Sequence, residues 1–341
     1  MNLSIVRNLQ DFEALSGEWN ALLSKSASHV PFLRHEYLTT WWRTLGGGEW
    51  SQGDLFIITA REENGELVGI APLFLTRNQQ GQPALMLLGS FEISDFLDFI
   101  ALPDHLPGFI DAVLDLLSGP EAPPWQVLDL YNLLEDSPTL PVLQSAARRC
   151  GWRYHQVRLQ PSPFIRLPGD WDLYLKSIDK KQRHEIRRKI RRAEGYPQSV
   201  RWYIVEKGDL LDQEVEAFLD LMAQDGQKAA FLTSVMRTQM RSAVRAAFDA
   251  GWLQLSFLEV SGEKAAAYLN FDYGNRVWVY NSALSAEYRD LSPGWVLLAY
   301  LLQWANENGR AEFDFMRGAE DYKYRFGAVD RFVVRTTIQR S

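Results

Sequence analysis

The chain has 341 residues, more than one ordinary domain needs, and two domains of about 150 residues each are the natural expectation. Its 36 Lys and Arg against 43 Asp and Glu leave a net charge of −7, which argues against a general nucleic-acid binder. One cysteine, Cys150, rules out a disulfide framework within the chain, and the scattered His29, His35, His105, His155 and His184 show no paired ligand spacing, so no metal is expected. The opening MNLSIVRNLQDFE lacks the apolar run of a signal peptide. The longest apolar stretch, 295–302, is too short to span a bilayer, so a cytoplasmic location is expected.

Residues 11–23 and 36–45 read as amphipathic helices. Strands are predicted at 54–61 and 67–77 around the Asn64-Gly65 hairpin signal, then near 84–89 and 96–101. A helix at 107–117, a Pro-rich break, a strand at 126–131 and a helix at 138–150 complete the first half. In the second half, helices are predicted at 213–223 and 235–250, and strands at 253–260, 264–273 and 276–284. A helix then starts near Pro293, a strand follows at 311–316, and a last strand, 331–338, could pair with either domain.

The two halves share a signature. Asp104-His-Leu-Pro107-Gly108 and Asp290-Leu-Ser-Pro293-Gly294 each open a helix, and an Asp flanked by apolar residues, Asp129 or Asp314, follows 21 or 20 residues after the glycine. Proline suits the first helical turn, where its fixed φ fits and its missing N–H is not needed. A matched strand downstream makes a duplicated unit the better reading than a shared cap. Strand meanders followed by a helix and one more strand predict an α+β fold with mixed, mostly antiparallel sheets flanked by helices. The boundary falls near 160, giving domains 1–160 and 161–341.

Residues 253–327 resemble the GCN5-related N-acetyltransferase fold, carried by AAYLNFDYGNRVWVYNSALSAEYRDLSPGWVLLAYLLQWA and FDFMRGAEDYKYRFGA. FLRHEYLTTWW, GELVGIAPLFL and SDFLDFI extend the likeness over the whole chain, which is similar to the CelD/BcsL-type acetyltransferases of cellulose biosynthesis, relatives of the FemAB peptidyltransferases. The resemblance implies two tandem acyl-CoA N-acyltransferase domains. It implies acetyl-CoA as co-substrate, held by an Arg/Gln-x-x-Gly-x-Gly/Ala loop before a helix. Here that run is Arg289-Asp-Leu-Ser292-Pro293-Gly294, with Ser292 in place of the first glycine. Independently of the name, free N–H groups at a helix start favour a phosphate, Gly294 allows close approach, and Arg289 adds charge-assisted bonds. Pro293 removes one donor from the cradle. The ordinary alternative is a plain helix start beside a surface arginine. In the first half Pro103 stands where Arg289 would, which favours a scaffold or acceptor-binding role there.

By the same resemblance, Ser282, Ala283 and Leu284 offer backbone N–H groups to the thioester arm, with Trp295 beside them. Candidate acid or base groups are Tyr324, Asp314, Tyr280 and Asp272, with Tyr288, Glu320 and Tyr322 also near in the expected topology. Tyr324 lies close to where relatives often place a tyrosine acid. Asp314 and its counterpart Asp129 could equally be structural, and Tyr280 a sheet aromatic. Trp278, Tyr280 and Trp295 would favour a short acyl group if their side chains face the thioester.

Asp179-Lys-Lys-Gln182 reads as a helix cap before a basic run. Arg183, Arg187 and Arg191 share one face, Arg188 and Arg192 another, with Ile186 and Ile190 as a narrow apolar stripe. Such a run is a solvated helix or, with Lys323, a wall for an acidic acceptor. No aromatic interleaves it, which weighs against base stacking. No Gly-x-Ser-x-Gly elbow is present, so a serine hydrolase is not indicated. The expected function is acyl transfer from acyl-CoA to an amine or hydroxyl of a saccharide or cell-envelope precursor. The alternatives are transfer from aminoacyl-tRNA and a non-catalytic binding role in an exopolysaccharide pathway.

Overall fold

The computed structural model describes residues 1–340, and the chain divides into two units. The first holds residues 1–160 together with the terminal segment from Phe332; the second runs from Pro161 to Arg331. The expected domain 161–341 therefore gives its last strand to the first unit.

The first unit begins with β1 (Asn2–Val6), α1 (Leu9–Ala14), α2 (Ser16–Leu23) and α3 (His35–Gly48). The predicted helix over 11–23 is thus broken at Leu15, and β1 is a strand too short to show in the sequence pattern. Next come β2 (Asp54–Arg61), β3 (Leu67–Arg77), β4 (Pro83–Leu87), β5 (Ile100–Ala101), α4 (Leu106–Ser118), β6 (Val127–Leu134), α5 (Thr139–Arg149) and β7 (Arg153–Pro161). β2 and β3 have the predicted bounds and pair antiparallel from Asp54↔Leu75 onward. Their residues are buried on both faces, which is why both read as apolar runs rather than as alternation. Gly69 on β3 lets α4 settle on the sheet, since a Cβ there would lie 2.6 Å from the Phe109 ring.

The second unit contains β8 (Phe164–Arg166), α6 (Trp171–Ser177), α7 (Lys180–Glu194), β9 (Val200–Ile204), α8 (Leu211–Met222), α9 (Gly226–Phe231) and α10 (Ser234–Asp249). It continues with β10 (Leu253–Val260), β11 (Glu263–Tyr273), β12 (Arg276–Leu284), α11 (Pro293–Glu307), β13 (Glu312–Asp314) and α12 (Asp321–Arg325). β14 (Phe332–Gln339) returns to the first sheet.

The strand orders are β1-β2-β3-β4-β6-β14-β7, with β5 beside β3, and β8-β13-β12-β11-β10-β9. The repeat seen in the sequence is present in this topology. In each unit an antiparallel meander (β2-β3-β4 or β10-β11-β12) leads through a helix, α4 or α11, to a parallel strand, β6 or β13. Each of those strands then takes an antiparallel neighbour from a chain end of its unit: β14 for β6 and β8 for β13. The matched aspartates are equally buried, Asp129 and Asp314 both at 0% exposure. Arg335 of β14 holds Asp129 with two bonds of 2.7 Å, and Arg331 pairs with Asp314.

Among the α1–α3 helices, His35 is buried between the Phe12 and Trp19 rings, and its Nε2 lies 2.8 Å from the Phe12 carbonyl. Burial pushes the imidazole below its ordinary value of 6.5. The unfolded chain therefore takes up this proton first as pH falls, so stability is lost as pH drops through about 6.5. Denaturant titrations at about pH 7.5 and 5.5 should show that loss in the wild type and a smaller one in His35→Gln. Equal losses in both would remove His35 as the cause.

Candidate active site

The second unit opens along one strand edge. β12 pairs with β13 only over Arg276, Val277 and Trp278; beyond that its outer edge has no strand partner among the described residues. The Ser285 N–H donates to the Ala265 carbonyl at 2.9 Å. By antiparallel alternation, Asn281, Ala283 and Ser285 turn their backbone groups toward β11, while Ser282 and Leu284 turn theirs outward. At Ser282 both groups are taken. Its N–H donates to Asn281 Oδ1 at 2.8 Å, and its carbonyl accepts from Lys228 Nζ of α9, which also donates to Asn281 Oδ1 at 3.0 Å. Leu284 is left with the outward N–H.

A cleft of about 500 Å³ adjoins this edge, lined by Ser282, Leu284, Arg289, Ser292, Gly294 and Trp295 among others. Ser292 adopts a left-handed backbone, φ 54°, at the N-cap of α11. Glycine takes that conformation freely, which accounts for the glycine that the resembling motif carries there. Pro293 is the first helical residue, where no N–H is missed. The N–H groups of Gly294 and Trp295 have no acceptor among the described residues, while Val296 donates to the Ser292 carbonyl at 3.1 Å. Arg289 is exposed at the cleft and has no ion-pair partner among the described residues. Two N–H groups without an acceptor, a helix dipole and an unpaired guanidinium are groups that can hold an anion. A Cβ on Gly294 would lie 2.4 Å from Leu284, so only glycine lets that side chain rest at the helix start.

The remaining expected residues fall elsewhere. Ala283 turns its side chain into the core, at 3% exposure, and its N–H toward β11. Asp272 is held by Arg310 through two bonds of 2.6 Å, and Asp314 by Arg331 and the Met316 N–H. Tyr280 sits in the β11–β12 bulge and stacks on Phe271, away from the cleft. Tyr324 projects outward and donates to Asp330 at 2.8 Å; desolvation and that carboxylate push its phenol up to about 12. Lys323 is 2% exposed and ties Glu320 and the Arg317 and Gly318 carbonyls together. On α7, Arg183 reaches the Leu175 carbonyl at 3.3 Å and Arg187 pairs with Asp172 at 3.1 Å, so both fasten α6. None of these lines the cleft.

The cleft is lined further by Tyr322, one of the groups expected nearby, and by Lys189, Tyr268 and Asp225, which the sequence did not single out. Tyr322 and Tyr324 are two positions apart on α12, about 200° around the helix. If one faces the cleft, the other must face away. Burial and the Glu320 charge push the Tyr322 phenol well above its usual range, so it stays protonated at neutral pH. Tyr268 is buried in the cleft wall and its hydroxyl donates to the Gly294 carbonyl at 3.4 Å. Among the described residues no group of His, Cys, Asp and Glu could hold a metal, and no helix is long and apolar enough to cross a membrane.

The profile of the family described as an acetyltransferase (GNAT) domain matches residues 180–324. No curated protein matches the chain in sequence. Among solved structures, FemX shares the fold over 98% of this chain and 97% of its own, with a TM-score of 0.65 at 12% identity. L-PGS from Bacillus licheniformis aligns over 95% and 91% (TM-score 0.58, 13% identity). The C-terminal domain of a putative lysylphosphatidylglycerol synthetase from Agrobacterium fabrum aligns over 97% and 92% (TM-score 0.58, 11% identity). The fold is thus a tandem of two GNAT-like domains, shared with these structures, and residues 180–324 match the acetyltransferase (GNAT) domain profile.

Proposed function

We propose that the second unit is an acyl-CoA-dependent acyltransferase using acetyl-CoA. In this reading its acceptor is an amine or hydroxyl of a saccharide or cell-envelope precursor, and the first unit serves as scaffold and acceptor-binding domain. The observation that carries this reading is the unpaired Arg289 beside the free Gly294 and Trp295 N–H groups in a cleft that borders an open strand edge. Those three groups would bind the diphosphate. The outward Leu284 N–H would donate to the thioester carbonyl oxygen as it gains charge. Tyr322, protonated and inside the cleft, would give its proton to the thiolate as the C–S bond breaks, and the strongly basic phenolate left behind would take the proton that the attacking amine or hydroxyl loses as its bond to the acyl carbon forms. Holding donor and nucleophile together supplies much of the remaining acceleration.

The test is thiol release from acetyl-CoA in the presence of amino sugars and nucleotide-linked sugars. Acceptor-dependent release supports the reading; binding of acetyl-CoA with no release to any amine or hydroxyl would contradict it. A second reading, transfer from aminoacyl-tRNA, is favoured by one feature, the exposed Lys180, Lys181, Arg191 and Arg192 on α7. It requires tRNA binding that weakens steeply with salt.

A further inference from the structure

Arg289 does not carry the only positive charge in the cleft. Lys189, on α7, has a side chain only 17% exposed and holds its ammonium 4.4 Å from the centre of the Trp295 ring. Its nearest carboxylate, Glu185, stands 3.7 Å away, beyond hydrogen-bond length. Both Glu185 oxygens are already bridged by Arg188, at 2.7 and 2.9 Å. The other charges acting on Lys189 are Arg188 and Arg325, both positive. Phe326 also packs against the Trp295 ring, with centroids 4.6 Å apart and the planes tilted by 44°. The Trp295 indole N–H is buried and has no acceptor. A half-buried ammonium whose one ion-pair partner, Glu185, is shared with Arg188 lies over a side chain that lines the cleft and carries an unused N–H donor. A buried donor without a partner is costly, and an ammonium over an indole is stabilised but keeps its own donors free.

We propose that Lys189 and the Trp295 indole N–H form a seat for a second anionic group of the cleft's ligand, apart from the phosphate site at the start of α11. This rests on the reading of the cleft as the acyl-donor site. The group is a phosphate or a carboxylate. It has two sources: the 3′-phosphate of the donor nucleotide, or a carboxylate at the end of the transferred acyl chain.

Calorimetry of wild type and Lys189→Gln with two ligand pairs separates them. The pairs are coenzyme A against 3′-dephospho-coenzyme A, and succinyl-CoA against acetyl-CoA. The seat predicts that Lys189→Gln weakens the more charged member of one pair about tenfold and leaves its partner within twofold. A loss in the first pair identifies the phosphate; a loss in the second identifies the acyl carboxylate. Trp295→Phe, which keeps the ring and removes the N–H, should reproduce part of the same selective loss. No loss, or an equal loss for all four ligands, would overturn the seat. If wild type binds none of the four, the donor reading fails, and inorganic phosphate decides the seat alone. Thermal stabilisation by phosphate that persists in Arg289→Ala and vanishes in Lys189→Gln supports it; stabilisation indifferent to Lys189 overturns it.

Discussion

Replacing Arg335 with alanine is expected to destabilise the first unit by about 3–5 kcal/mol, read from the denaturant midpoint. Asp129 is fully buried at the middle of β6, and Arg335 meets both its oxygens at 2.7 Å; Asn78 adds one bond at 3.0 Å. Removing the arginine strands a charge that one amide cannot compensate. The guanidinium also lies over the Tyr131 ring, 4.6 Å from its centre, so packing is lost with the charge. The double variant Asp129→Leu/Arg335→Leu should recover most of the loss, because apolar replacement of a whole buried pair is often close to neutral. A loss below about 1 kcal/mol in the single variant would mean that the carboxylate is already neutral or hydrated. The same experiment tests how far the first sheet depends on the pairing of β14 with β6.

Tyr322→Phe is expected to lower kcat about 100-fold, roughly 2.7 kcal/mol of transition-state stabilisation, with little change in KM for acetyl-CoA. Tyr324→Phe should leave both constants within about twofold. The contrast follows from the placement of the two hydroxyls, one inside the cleft and one paired with Asp330 on the surface. The raised Tyr322 phenol also predicts that activity shows no alkaline loss from this group up to about pH 10, the usual tyrosine value. The reverse order of effects, with Tyr324→Phe the more damaging, would take Tyr322 out of the mechanism.

Much of the architecture is legible in the sequence because its signals are local. β2, β3, β10 and β12 have the predicted bounds, set by hairpin turns and long apolar runs. The repeated Pro-Gly helix start and the downstream aspartate report the duplicated meander. β1, β8 and β9 are three to five residues long and exist only through distant pairing, so no periodicity marks them. The destination of β14 is likewise a tertiary choice.

For the candidate site, the loop from Arg289 to Trp295 is readable because a helix start beside a strand edge is a local arrangement. The acid–base candidates are not. Asp272 and Asp314 have partners 38 and 17 residues away, Arg310 and Arg331, and nothing local signals those pairs. Lys189 does leave a trace. It falls between Ile186 and Ile190, on the border of the buried stripe, whereas Arg183 and Arg187 point to α6. For Tyr322 and Tyr324 the sequence restricts the choice to one of two opposite faces, and the packing of α12 decides it.

Calorimetric binding of acetyl-CoA to the wild type and to Arg289→Ala tests the cleft directly as the donor site. Wild type should bind in the micromolar range, and the variant at least tenfold more weakly, about 1.4 kcal/mol, the size of one good charge-assisted contact. Binding unchanged in Arg289→Ala would place the donor elsewhere, and no binding by wild type would contradict acetyl-CoA as the donor.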